Sequence, residues 1–226
     1  MSSANDFIIS NGVLTKYVGP GGDVTVPDGV TSIGMDAFKM CKTLEKIQLP
    51  AGITWIGNYA FLGSSVTAIN FPHGAEIGNA AFEGCASLND IRLPEGMEIL
   101  SAGAFSNCSG LKSVRFPNSL TTLENAVFNG CSQLTELVLP ENVVEIGTQC
   151  FDRCGALEKI VLPEALKSIG GGAFARCGQL KQIDCSDRVF RLFLDSCSAK
   201  NLLAAAYDYL ARNLVTTAKP DEQFAK

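Results

Sequence analysis

The chain has 226 residues, a formal net charge of −5, a pI near 5.0, one histidine and nine cysteines. Nucleic-acid-binding proteins usually present a basic face, so this composition does not support a nucleic-acid partner. No apolar run approaches the ~20 residues of a membrane-spanning helix, and we expect no membrane insertion. The first residues, MSSANDFIIS, lack the basic start and apolar core of a secretory signal, which favours a cytoplasmic chain as the sequence stands.

Residues 1–23 are predicted to form an N-terminal cap. Two apolar runs flank Asn11 and Gly12, a dipeptide that strongly favours a β-hairpin turn. The GPGG segment that follows is typical of a turn, and Val24 and Val26 then begin a first strand.

A repeat occupies residues 24–185. Seven phenylalanines recur at spacings of 23, 21, 23, 23, 23 and 23 residues: Phe38, Phe61, Phe82, Phe105, Phe128, Phe151 and Phe174. Such a period predicts a solenoid, in which one structural unit stacks on copies of itself.

Each repeat has the same internal order. Relative to the phenylalanine, positions −5, −1, +6, +9 and +11 are apolar, +3 is cysteine except at Ser64, and proline usually follows at +12. Alternation at +9 and +11 predicts a half-buried strand with +8 and +10 pointing outward. The short segment around the phenylalanine predicts one tight helical or 3-10 turn.

The repeats LEKIQLPAGITWIGNYAF and LEKIVLPEALKSIGGGAFARC resemble the BspA-like class of leucine-rich repeats. The resemblance implies an α/β right-handed solenoid of seven to eight ~23-residue rungs. A parallel sheet would line its concave face, short helical or 3-10 turns would lie opposite, and both ends would be capped. Many members of the class are bacterial or protozoan surface proteins implicated in adhesion, so the resemblance also implies an adhesion role.

Six of the nine cysteines share position +3. A small, buried apolar group is needed there, which favours a column of reduced thiols over disulfides. A metal site is not predicted, because the chain has no Cys-x-x-Cys motif and only one histidine.

The repeat containing Ser64 is irregular, because it lacks one residue before Ile69 and another before Ile77. Trp55 and Tyr59 lie in this region. They form a candidate contact patch on the convex side, or they cover the void that the missing residues leave.

The pattern changes at Cys185. Ser186 is a candidate helix N-cap, and Val189, Phe190, Phe193 and Leu194 follow at helical spacing. A second candidate helix begins after Ser198. We predict a helical C-terminal cap over residues 186–218 and a polar tail over residues 219–226.

No motif for catalysis or cofactor binding was found. His73 lies in a loop without an orienting acid nearby, and carboxylates such as Glu76, Glu145 and Asp152 fall at positions expected to point outward. We therefore expect no enzyme activity and no cofactor.

The outward positions of the strands offer the best candidate binding surface. Gln48, Asn70, Arg92, Arg115, Val138 and Val161 follow one another at position +10. Adjoining arginine and apolar area is typical of protein interfaces. The sequence thus favours a non-catalytic interaction or adhesion module that binds a protein, or a glycan, on the concave face. The alternative is a structural spacer or sensor segment of a larger protein, and the oligomeric state is not predicted.

Overall fold

The computed structural model describes residues 3–196 and Tyr209. After a 3-10 helix over Ala4–Asp6, strand β1 (Phe7–Ser10) pairs antiparallel with β2 (Val13–Tyr17). Asn11 and Gly12 connect them with φ angles of 50° and 76°. Two consecutive left-handed residues are what a tight hairpin turn requires, so the predicted N-terminal hairpin is confirmed.

Every repeat contributes one strand to a first ladder of parallel strands. These strands are β3 (Gly22–Thr25), β5 (Leu44–Gln48), β7 (Ala68–Ile69), β9 (Asp90–Arg92), β11 (Ser113–Arg115), β13 (Glu136–Val138), β15 (Lys159–Val161) and β17 (Gln182–Asp184). Their pairing falls into three groups, β3-β5-β7, β9-β11 and β13-β15-β17. The predicted strand at positions +8 to +10 is confirmed, and Ile47, Ile91, Leu137 and Ile160 point into the core as expected.

The expectation of a single sheet was incomplete, because a second ladder of two-residue strands runs through positions −6 and −5. Its members after β2 are β4 (Ser32–Ile33), β6 (Trp55–Ile56), β8 (Glu76–Ile77), β10 (Ile99–Leu100), β12 (Thr122–Leu123), β14 (Glu145–Ile146) and β16 (Ser168–Ile169). This ladder is paired from β2 to β8 and again from β10 to β16. β8 and β10 are not paired with each other.

The turn around each phenylalanine is tight, as predicted. Hydrogen bonds between residues three apart close it, for example from the Cys41 N–H to the Phe38 carbonyl at 3.1 Å. A residue with a left-handed backbone conformation lies two positions before and two positions after each of the seven repeat phenylalanines, for instance Ala126 (φ 56°) and Gly130 (φ 76°) around Phe128. These residues keep the turn from continuing into a helix.

The phenylalanine rings form one continuous column through the core. Neighbouring rings from Phe38 to Phe174 stack with centroids 4.8–5.7 Å apart and planes within 12° of parallel. Tyr17 of the hairpin extends the column at one end, with its ring 5.1 Å from Phe38. Phe193 extends it at the other end, 5.1 Å from Phe174.

Phe193 belongs to helix α1 (Asp187–Ser196), which covers the last rung. The Ser186 side chain accepts a hydrogen bond from the Val189 N–H at 3.5 Å, in agreement with its predicted N-cap role. Val189 and Phe190 are buried, whereas Leu194 is 39% exposed. The Tyr209 ring stacks 3.8 Å from that of Phe190. The rest of the predicted second helix and the polar tail lie outside the described residues.

Candidate functional site

The +10 positions of the first ladder bring Arg92 and Arg115 side by side. These two residues are register partners in the parallel pair of β9 and β11, and both are exposed. Val138 continues the row and is 63% exposed, whereas Val161 is half-buried. Arg92, Arg115, Val138 and Val161 therefore lie on consecutive rungs, and we call these four residues the first-ladder strip.

The two arginines differ from the other cations of the first ladder. Lys159 lies 3.5 Å from Asp184, and Lys46 lies 4.0 Å from Asp23, so both lysines have an acidic neighbour on an adjacent strand. Within residues 3–196 neither Arg92 nor Arg115 forms an ion pair. The strip thus presents two adjacent positive charges that form no ion pair with the residues that the structure describes.

Two shallow hollows lie along the first ladder. One, of about 430 Å³, includes Gln48 and Asn70 in its lining. The other, of about 330 Å³, is lined in part by Asn70, His73 and Arg92. His73 is an exposed loop residue, as predicted.

Asn70 has a structural role that the sequence did not reveal. Its side-chain carbonyl accepts a hydrogen bond from the Leu49 N–H at 2.7 Å, and its amide donates to the Leu49 carbonyl at 2.9 Å. In a regular repeat such as the one that ends at Leu93, the strand N–H donates to a main-chain carbonyl of the next rung, here Arg115, at 3.0 Å. Asn70 replaces this main-chain contact beside the shortened repeat, so we leave it out of the proposed contact surface.

Trp55 and Tyr59 are placed by the second ladder and its following turn. Trp55 is 37% exposed on β6, and Tyr59 is 41% exposed with a left-handed φ of 58°. Trp55 lines a cleft that opens between β8 and β10, whereas Tyr59 is not among the residues of that lining.

Five of the six cysteines at position +3 are buried as predicted, whereas Cys41 in the first rung is only partly buried. Cys85, Cys108, Cys131, Cys154 and Cys177 are buried, and each thiol donates to the carbonyl of a phenylalanine at 3.1–3.3 Å. Burial raises the pKa of the Cys85 thiol to about 11 and raises the pKa values of Cys108, Cys131 and Cys154 well above 9.0. All eight cysteines in the described part of the chain are free. Protonated, buried thiols are poor nucleophiles and poor metal ligands.

Asp152 was expected to point outward, and this was wrong. Its carboxylate is only 1% exposed and accepts a hydrogen bond from the Arg176 Nε at 2.8 Å. The second guanidinium contact comes from the Arg176 Nη2. A buried carboxylate that is bound on both oxygens by an arginine links two rungs, and this pairing explains its burial without a catalytic role.

The described residues form neither a cluster suited to a metal ion nor a helix suited to spanning a membrane. Within residues 3–196 and Tyr209, no group of three or more histidine, cysteine, aspartate or glutamate side chains is arranged to hold a metal ion. None of the helices described is long and apolar enough to span a bilayer.

The repeated strand, turn and thiol geometry can now be compared with known proteins. A profile of the BspA type leucine rich repeat region matches residues 21–109 and 75–199, in six copies. The chain belongs to the BspA-type leucine-rich repeat family. Repeats of this family are typical of interaction and adhesion modules and are generally non-enzymatic.

Solved structures agree with this assignment. A leucine-rich repeat protein of T. pallidum is 25% identical, with a TM-score of 0.60, over 88% of this chain and 96% of that chain. A leucine rich cell surface protein of Faecalibacterium prausnitzii is 24% identical, with a TM-score of 0.53, over 81% of this chain and 67% of that one. A leucine-rich repeat protein of Bacteroides ovatus is 24% identical, with a TM-score of 0.51, over 83% and 63% of the two chains. No curated protein sequence matches this BspA-type chain significantly.

Proposed function

We propose that this chain is a non-catalytic binding module whose first-ladder strip recognises an acidic, partly apolar segment of another protein. The observation that carries the proposal is the adjacency of Arg92 and Arg115, both exposed and without an ion-pair partner in the described part of the chain. Guanidinium groups bind carboxylates through paired, charge-assisted hydrogen bonds. An acidic segment would supply the missing negative charge.

Val138 supports the choice of a protein over a purely ionic ligand. Its side chain is 63% exposed directly after the two arginines along the row. Burying an apolar side chain beside directed polar contacts is the usual composition of the centre of a protein interface. The F. prausnitzii relative is described as a cell surface protein, and members of the family are often surface-associated, which agrees with an adhesion role.

The proposal is tested by selecting displayed random peptides on the wild-type chain and measuring their affinity for variants. We expect acidic peptides to be enriched and Arg92→Glu/Arg115→Glu to lose their binding. The control Lys112→Glu/Lys167→Glu makes the same change in net charge at two exposed lysines outside the strip. Equal binding to both double variants, or the selection of peptides without acidic residues, would contradict the proposal.

A further inference from the structure

The cleft beside Trp55 originates in a missing residue. In regular rungs the residue at −7 donates its N–H to the carbonyl at −7 of the rung before, as Thr54 does to Thr31 at 2.9 Å and Thr121 does to Glu98 at 2.8 Å. The repeat of Phe82 has only Ala75 where the preceding repeat has an isoleucine and a threonine. The Glu98 N–H, at position −7 of the next rung, makes no such bond.

As a result, two main-chain N–H groups and one main-chain carbonyl of the described residues lack the hydrogen bonds that regular rungs form here. In the part of the chain that the structure describes, the N–H groups of Glu98 and Ser101 have no protein acceptor. The equivalent N–H of Gly78 reaches the Ile56 carbonyl at 2.8 Å, whereas the Ile77 carbonyl receives no such bond from Ser101. These groups border the cleft between β8 and β10.

The walls of the cleft are nevertheless held firmly by the turns behind them. The Ala80 N–H donates to the Ala102 carbonyl at 2.9 Å, and the rings of Phe82 and Phe105 stack at 5.2 Å. Strand pairing between these two rungs is missing in both ladders, between β8 and β10 and between β7 and β9, so the turns and the core hold the rungs together. The cleft is therefore present although the core between the two rungs is packed, and it does not require the rungs to move apart.

The lining of the cleft combines apolar surface with negative charge. Its volume is about 580 Å³, and Trp55 and Ile99, which are 37% and 51% exposed, supply apolar area. Glu76, Glu98 and Glu124 contribute three carboxylates, and no lysine, arginine or histidine lines the cleft.

The three carboxylates also lack ion-pair partners among the described residues. None of the three glutamates forms an ion pair there. Glu124 is held in place because its Oε2 accepts a hydrogen bond from the Ala102 N–H at 2.8 Å. Three uncompensated negative charges around one cleft repel each other, and a cation bound between them would relieve this repulsion.

We propose that this cleft binds an arginine side chain of an extended peptide segment in a partner protein. A guanidinium group has five N–H donors and no acceptor, which suits a lining whose side-chain polar groups are mostly carboxylate oxygens. Its planar face stacks on an indole ring, so Trp55 supplies a cation–π contact that a compact ammonium group uses less fully. A neutral sugar would bring no positive charge to the three carboxylates.

This inference does not depend on the function proposed for the first-ladder strip, because the two surfaces share no residue and carry opposite charge. The Arg92→Glu/Arg115→Glu variant is therefore expected to keep the cleft fully active. The failure of one proposal would therefore not contradict the other.

Trp55 provides a direct reporter, because it is the single tryptophan of the chain. The probe is the blocked tripeptide Gly-Arg-Gly, added to the full chain while tryptophan fluorescence is recorded at low ionic strength. We expect a saturable change in Trp55 emission that weakens as salt is added. The same peptide with citrulline in place of arginine keeps the shape and loses the charge, and it is expected to produce no saturable change.

Two double variants test whether the arginine peptide binds in the cleft. Glu76→Gln/Glu98→Gln is expected to weaken binding of the arginine peptide by about tenfold or more, because a neutral amide attracts a guanidinium group much less than a carboxylate does. Glu136→Gln/Glu145→Gln removes the same charge from exposed residues outside the cleft lining and should bind as the wild type does.

The proposal is overturned if the arginine peptide causes no saturable change in Trp55 fluorescence, or if the citrulline peptide binds equally well. Equal weakening by the two double variants would also overturn it, since that would show a general effect of charge. Saturable binding of a neutral sugar such as maltotriose, without discrimination between arginine and citrulline, would assign the cleft to glycans instead. The peptide comparison uses the wild-type chain, so it remains decisive if a variant fails to fold.

Discussion

At the scale of single residues, the phenylalanine column carries much of the stability of the solenoid. Phe105 is fully buried and stacks between Phe82 at 5.2 Å and Phe128 at 5.7 Å. A ring in this position contributes its own burial and also the contacts of both neighbouring rungs, since stability in a repeat protein depends on the interfaces between neighbours.

Phe105→Ala is expected to lower the free energy of unfolding by about 3–5 kcal/mol, through lost burial and the cavity that remains. Chemical denaturation measures this change. Phe116→Ala is the control, because Phe116 is only partly buried against the same core, and its loss should be smaller. A loss below about 1 kcal/mol for Phe105→Ala would show that the column is not the main support of the core.

The thiol column makes the stability depend on pH. Burial raises the pKa of Cys85 from its ordinary value of 9.0 to about 11. The folded chain therefore keeps this proton at pH values where the unfolded chain has lost it. The corresponding stability is fully present below pH 9 and is lost as the pH rises towards about 11, by up to about 1.4 kcal/mol per pH unit for each such thiol.

We expect the free energy of unfolding to fall between pH 9 and 11, and Cys85→Ser to remove the part that Cys85 contributes. Ser64 occupies the equivalent position one rung away and hydrogen-bonds Cys85 at 3.4 Å, which shows that a hydroxyl fits this column. Lysines and tyrosines also titrate in this range, so the informative quantity is the difference between the two chains. Identical pH profiles would contradict the role given to Cys85 burial.

At the scale of elements, the irregular second repeat shows how a missing residue changes the surface. Beside its first deletion the Asn70 side chain takes over two main-chain hydrogen bonds to Leu49, although β7 and β9 remain unpaired. Its second deletion, at Ala75, has no such side-chain replacement, and the second ladder is open between β8 and β10.

Replacing Ala75 with the dipeptide Ile-Thr restores the regular repeat length. We expect the second ladder to close and the free energy of unfolding to rise by about 1–2 kcal/mol, because two main-chain hydrogen bonds are regained. The same replacement at Ala51, an exposed loop residue in a repeat that already has the regular length there, is the control and should not stabilise the chain. Unchanged or lower stability of the Ala75 variant in chemical denaturation would show that the deletion is not what opens the ladder.

At the scale of the whole molecule, the features that repeat were the ones that could be predicted. The phenylalanine and the +9 apolar residue recur seven times in the sequence and the +3 cysteine recurs six times, so these columns could be recognised from periodicity. The hairpin and the Ser186 cap were also predictable, because local turn and capping chemistry determines them.

The features that were missed depend on contacts between rungs. The strands of the second ladder are only two residues long, too short to show an alternating pattern. Asp152 appeared to be a surface residue because its partner Arg176 lies 24 positions away, on the next rung. Trp55 was recognised as a candidate, but the acidic cleft beside it appears only when Glu76, Glu98 and Glu124 from three rungs are brought together.

The two proposed surfaces differ in charge: the arginines of the first-ladder strip and the glutamates of the cleft form no ion pairs within residues 3–196. A module of this kind would contact acidic and basic segments at separate places. Several modest contacts of this type can add up to firm attachment when their geometry allows simultaneous binding.

The central claim is that partner binding occurs on the first-ladder strip, and backbone amide NMR of the chain with a selected acidic peptide tests it most directly. We expect the largest shift changes at Arg92, Arg115 and Val138 and at their strand neighbours. Changes concentrated around Trp55 and Tyr59 on the second ladder, with the strip unaffected, would contradict it.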